Sequence, residues 1–150
     1  MSVDPALASV ELSVVVKAPL EEAFELFTSR MGEWWPLDVA SYGGDRARQI
    51  FLEPRVGGRF FERFTDGDEL QVGSVIACQP PRLISFTWVT ADWLGETVVD
   101  VRFSPEAAGT RVDLSHHGFE RIGPVGPDVA AKFRNGWPRV LRAFTEQSAR

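Results

Sequence analysis

DVAAKFRNGWPRVLRAFTEQ, residues 128–147, carries one rhythm from end to end. Val129, Phe133, Trp137, Val140, Leu141 and Phe144 recur every three or four residues, the stripe of a helix with one apolar face. Asp128 stands near its start, where the positive end of the helix dipole favours an acid. About 20 residues make roughly 30 Å of helix, enough to cross a whole sheet. Gly136 and Pro138 interrupt the stripe, and proline removes a donor and crowds the preceding turn. The expectation is a kink or break near residues 135–138.

Upstream of this segment lies a breaker cluster, Gly123-Pro124-Val125-Gly126-Pro127, and before that the pattern is one of strands. Candidate strands are 47–53, 58–65, 69–79, 83–90, 96–104 and 110–118, separated by turn-forming stretches such as Asp66-Gly67-Asp68 and Pro80-Pro81. Consecutive strands with tight connections form an antiparallel meander. Residues 1–8 read as a loose lead-in, and the Val-rich stretch 10–17 as a first strand. Pro19 then opens a helix, LEEAFELFTS, with Leu20, Ala23, Phe24 and Phe27 on one face. A second helical piece over 30–35 stops before Pro36, and 37–45 is a loop. The fold class is α+β: a curved antiparallel sheet of about seven strands wrapped round a long C-terminal helix, with two short helices after strand 1. A strongly curled sheet touches the helix at its ends and leaves a space between.

With 150 residues, 44% hydrophobic and 25% charged, the chain suits one domain, 1–150, with a core over about 9–147. A net charge of −5 and the lack of a dense Lys/Arg run argue against nucleic acid as a partner. The single cysteine, Cys78, excludes an internal disulfide and a Cys-rich zinc site, and reads as a packed thiol. The first ten residues lack the make-up of a signal peptide, and no apolar run spans a bilayer, so no membrane partner is expected and the cytoplasm is the expected location.

Five stretches together resemble a known family. They are VKAPLEEAFELFTSRMGEWWP at 16–36, VGGRFFERFTDGDELQVGSV at 56–75, PPRLISFTW at 80–88, GTRVDLSHHGF at 109–119 and GWPRVLRAF at 136–144. In this order they resemble the SRPBCC, or Bet v 1/START-like, superfamily with its helix-grip fold. Within it they are most similar to the activator-of-Hsp90-ATPase-homologue-1-like domains. The resemblance implies an internal cavity for a small, largely apolar molecule. It does not imply one activity, because carriers, sensors, cyclases and co-chaperone domains share this frame.

Side-chain alternation along strands selects the candidate site residues. In VDLSHHG, His116 shares the phase of Val112 and Leu114 and points inward, while His117 points outward. The two histidines therefore do not hold one metal, and no HExxH-type or Cys-rich spacing supplies further ligands. His116 is either a hydrogen-bonded core histidine or a polar anchor for a ligand. In GRFFERF, Phe60 and Glu62 share one face, which puts a carboxylate among aromatics, unless it pairs with a rim arginine or the faces are reversed. Trp34-Trp35 either packs in the core or gates a cavity mouth. The candidate ligand-binding set is Trp35, Phe60, Glu62, Phe86, Trp88, Val99, Val101, His116, Phe133 and Trp137. Gly57-Gly58 suits a bulge or sharp bend and is not a dinucleotide fingerprint. No Ser/His/Asp triad is expected.

The expected function is therefore binding of a small hydrophobic or amphipathic molecule, without catalysis, metal or cofactor. One alternative is a cyclase- or hydrolase-like enzyme on aromatic or polyketide-like substrates, with Glu62 and His116 as acid and base. Another is a co-chaperone of an Hsp90-type chaperone. A sheet edge or the apolar helix surface offers a place for a homodimer.

Overall fold

The computed structural model describes residues 4–150. Of the lead-in expected over 1–8, residues 1–3 lie outside the described residues; the rest holds one 3-10 turn, Pro5–Leu7, capped by the Asp4 carboxylate. The strands are β1 (Val10–Val16), β2 (Ala47–Leu52), β3 (Arg59–Phe64), β4 (Glu69–Gln79), β5 (Leu83–Trp88), β6 (Thr97–Glu106) and β7 (Gly109–His117). They form one antiparallel sheet in the order β1-β7-β6-β5-β4-β3-β2. Strands β2 to β7 follow one another as a meander, because each pair is separated by a short turn-forming stretch. The chain instead crosses from β1 at one edge to β2 at the other through α1 (Leu20–Phe27) and the 3-10 turn Met31–Glu33. These are the two short helices expected after strand 1.

The C-terminal helix α2 runs from Gly126 to Ser148. The break expected near residues 135–138 does not occur, although Pro138 lies inside the helix. Pro138 and Arg134, whose carbonyl loses its usual partner, are both exposed, so water can replace the missing donor. Trp137, Val140, Leu141 and Phe144 are buried, and Phe144 meets Phe27 of α1 edge-on at 5.3 Å between ring centroids. Phe24 and Phe27 meet Phe103 of β6 in the same manner at 5.2 and 5.8 Å. One aromatic seam thus ties α1, α2 and the sheet.

The sheet bends where its ladder is irregular. Register shifts fall between Phe60 and Phe61 against β4, and between Val75 and Ala77 against β5. Gly73 sits at this bend. A Cβ there would fall 1.7 Å from the Thr87 carbonyl oxygen, so only glycine lets β4 approach β5 this closely. The Gly57-Gly58 pair expected to bend the sheet belongs to the β2–β3 turn instead. Past these irregularities, Ile50 of β2, Phe60 and Glu62 of β3 and Val72 of β4 stand apart from α2 across a gap.

Candidate functional site

That gap is a cavity of about 210 Å³. Ile50, Phe60, Glu62, Val72 and Trp88 supply its sheet wall, and Lys132, Phe133, Gly136, Trp137 and Val140 its helix wall. Trp35 and the loop 39–42 close a third side. The lining is mainly aromatic and aliphatic. Trp88 lies 4.9 Å from Phe60, 4.8 Å from Phe133 and 5.9 Å from Trp137 between ring centroids. Trp35 reaches Phe60 and Trp137 at 6.1 Å each.

The loop after Trp35 is held by the same side chains that line the cavity. The Trp35 indole N–H donates to the Ala40 carbonyl at 2.6 Å. The backbone N–H groups of Tyr42 and Gly43 donate to the two Glu62 carboxylate oxygens at 2.7 and 2.9 Å. The Trp88 indole N–H donates to the Tyr42 hydroxyl at 2.8 Å. Tyr42 is 45% exposed as a residue, but desolvation around its hydroxyl, opposed by the Trp88 hydrogen bond and aided slightly by Glu62 and Asp92, raises the phenol above its ordinary value. Its hydroxyl accepts from Trp88 and keeps its own proton to donate. Glu62 is fully buried yet makes no ion pair among the described residues. A carboxylate has about four acceptor positions, and the loop occupies two of them.

Six of the sequence-predicted site residues meet at the cavity: Trp35, Phe60, Glu62, Trp88, Phe133 and Trp137. Phe86, Val99, Val101 and His116 do not reach it, which corrects the expected lining. Phe86, Val99 and Val101 are wholly covered in the tightly packed half of the sheet. All three are buried, but burial there is against other side chains. Trp34 likewise packs in the core, on Phe27 and Phe144, with its N–H on the Leu26 carbonyl.

His116 is fully buried among Trp88, Phe119, Phe133 and Trp137. Trp137 fixes its tautomer. An indole N–H only donates, so the Nδ1 atom 3.0 Å away must accept. The neutral ring therefore carries its proton on Nε2 and donates to the Thr97 hydroxyl at 2.7 Å. Thr97 passes the direction on to the Trp88 carbonyl at 2.9 Å. Burial, and to a lesser degree the neighbouring His117, push His116 down to about 3. With both nitrogens engaged, this imidazole has nothing left for a ligand and is not poised as an acid or base near neutrality. The pairing of Glu62 with His116 as acid and base has no geometric basis.

His117 points to the outer face, where its Nε2 lies 2.8 Å from Asp100, whose other oxygen accepts from Ser85 at 2.5 Å. The acid stands between serine and histidine, so the imidazole does not touch the hydroxyl and the trio lacks triad logic. Burial raises the Cys78 thiol, the opposite of activation. Sequence reasoning missed Tyr42, Lys132 and Gly136, which all line the cavity. Tyr42 sits in a loop without periodicity. Lys132 lies outside the apolar stripe of α2, and Gly136 reads in sequence only as an interruption of it.

The family profile described as Activator of Hsp90 ATPase homolog 1-like protein matches residues 17–148. A solved structure from Mesorhizobium loti is 22% identical, covers 93% of this chain and 95% of that one, and superposes with a TM-score of 0.71. The AHSA1 protein of Silicibacter pomeroyi is 22% identical over 95% of this chain and 98% of that one, with a TM-score of 0.65. An anthrahydroquino-γ-pyrone synthase is 32% identical over 95% of this chain and 99% of that one, also at 0.65. Curated proteins give no significant match. Among the described residues, no helix is long and apolar enough to cross a membrane.

Proposed function

The chain belongs to the family of Activator of Hsp90 ATPase homolog 1-like proteins, with the helix-grip frame of SRPBCC-type ligand-binding domains, and from that premise we propose that it encloses a small aromatic molecule without turning it over. The observation that carries this reading is the cavity of about 210 Å³ walled by Trp35, Phe60, Trp88, Phe133 and Trp137. Pockets of this kind bind through apolar area and use a few polar groups to orient the guest. Here those groups are Glu62 and the Tyr42 hydroxyl. A guest hydroxyl can donate to the unused Glu62 positions and accept from Tyr42. Among the described residues, none bordering the cavity forms a hydrogen-bonded nucleophile–base pair, which favours holding over conversion.

Purified protein extracted with organic solvent and read by mass spectrometry tests this, together with a thermal-shift panel of small apolar and hydroxylated aromatics. A co-purifying aromatic, or panel members that raise the melting temperature, supports the reading. A panel without a single binder, and an empty extract, refutes it.

A second reading rests on the 32% identity to a synthase over nearly the whole chain. On that reading Glu62 alone serves as the base, since His116 is engaged elsewhere. Incubation of hydroxylated aromatic substrates with the protein and its Glu62→Gln variant separates the two readings. Turnover abolished by the variant would establish the enzyme.

A further inference from the structure

Helix α2 gives up its side chain at one point, and that point borders the cavity. Gly136 lies in mid-helix, where glycine costs about 1 kcal/mol relative to alanine. Two structural reasons can justify that cost: a positive φ, or a neighbour too close for a Cβ. Neither holds. Gly136 is not among the glycines of positive φ, and a Cβ built on it meets no atom within 4 Å. The contrast is Gly73, where a Cβ collides with the backbone of β5. Stability alone would place alanine at 136. Gly136 is instead one of the residues that line the cavity, with open space where its side chain would stand.

One turn before the gap stands Lys132, exposed, on the cavity rim and in no ion pair among the described residues. One turn after it, Val140 continues the apolar wall. Residues four apart share a helix face, so an ammonium, a gap and an aliphatic surface lie in line. The charge inside is of the opposite sign, since Glu62 sits in the sheet wall without a cationic partner.

We infer that Gly136 is the entry aperture of the cavity and that Lys132 selects a guest whose aromatic body carries an acid at its outer end, an aromatic carboxylate. This rests on the reading of the cavity as a container. The body enters past the glycine. The acid stays at the rim, because burial without a partner is costly and Glu62 repels it inside. The lysine stem is long enough to lie along the apolar lip with its ammonium in water.

Isothermal titration of the full chain with 2-naphthoate and the uncharged 2-naphthamide, at low salt, tests both parts. Wild-type protein is expected to prefer the naphthoate. Lys132→Gln should weaken naphthoate by about two- to fivefold, the range of an exposed ion pair, and leave naphthamide unchanged. Gly136→Leu should weaken both probes by about tenfold or more, the scale on which a filled pocket rejects a guest. Gly136→Ala should weaken both less while raising the melting temperature. A folded Gly136→Leu that binds both probes like wild type overturns the aperture. Lys132→Gln acting equally on both probes, or on neither, overturns the selection of an acid. Binding of neutral aromatics from the thermal-shift panel with no binding of naphthoate sinks this inference alone. Absence of any ligand sinks the container reading beneath it as well.

Discussion

His116 and Glu62 look alike on a strand diagram. Each is an inward polar residue of its strand, each is wholly covered, and each has aromatic side chains around it. Their surroundings differ in what is left over. At His116 the sheet lies tight on α2, and both ring nitrogens have protein partners. At Glu62 two backbone N–H groups take half of the acceptor capacity, and the remaining positions have no partner among the described residues where the side chain borders the cavity. A buried polar group becomes a binding site when its hydrogen-bonding capacity is unfinished and space adjoins it. Burial and phase alone do not distinguish the two cases.

The sharpest way to break the comparison is acid. The folded His116 ring resists protonation down to about pH 3, whereas the unfolded ring takes a proton near its ordinary 6.5. Below 6.5 the unfolded chain therefore binds more protons, so stability falls as pH falls toward 3 and is complete above 6.5. The slope approaches ~1.4 kcal/mol per pH unit and amounts to several kcal/mol across the window. Urea denaturation of wild type and His116→Leu from pH 7 to 4 isolates it: the difference between the two should shrink as pH falls. A constant difference would mean that His116 titrates normally and is not sealed.

Near neutrality, His116→Leu itself should cost about 2–4 kcal/mol, because the Trp137 N–H loses its acceptor in a dry interior. Its affinity for cavity ligands should barely change. Glu62→Ala should cost less, about 1–3 kcal/mol, since water can reach the released Tyr42 and Gly43 amides. Those two amides should exchange with deuterium faster while the β6 and β7 amides keep their protection. Tyr42→Phe is the mildest probe, at about 1 kcal/mol for the lost partner of the Trp88 indole. Equal effects of the Glu62 and His116 variants on ligand affinity would erase the distinction between the two ends.

The architecture was readable because it rests on periodicity. Alternation over β7 puts His116 inward, alternation over β3 puts Phe60 and Glu62 on one shared face without saying which, and the stripe of α2 puts Phe133 and Trp137 over the sheet. The location of the empty space was not readable, because it depends on where the sheet leaves the helix. That is decided by the close approach at Gly73 and the register shifts beside it, which no period announces. So Val99 and Val101 look the same in sequence as Ile50 and Val72, yet only the latter pair borders the cavity. The finished state of His116 depends on an indole 21 residues away on another element. The unbroken helix through Pro138 depends on that residue facing water.

Titration of ¹⁵N-labelled protein with 2-naphthamide, followed by amide and indole shifts, tests the central claim most directly. Shifts should gather on the amides of Trp35, Tyr42, Gly43, Phe60 and Gly136 and on the Trp88 indole, with the Val99, Val101 and His116 amides still. Shifts centred on His116 and β6, or scattered over the outer face, would contradict it.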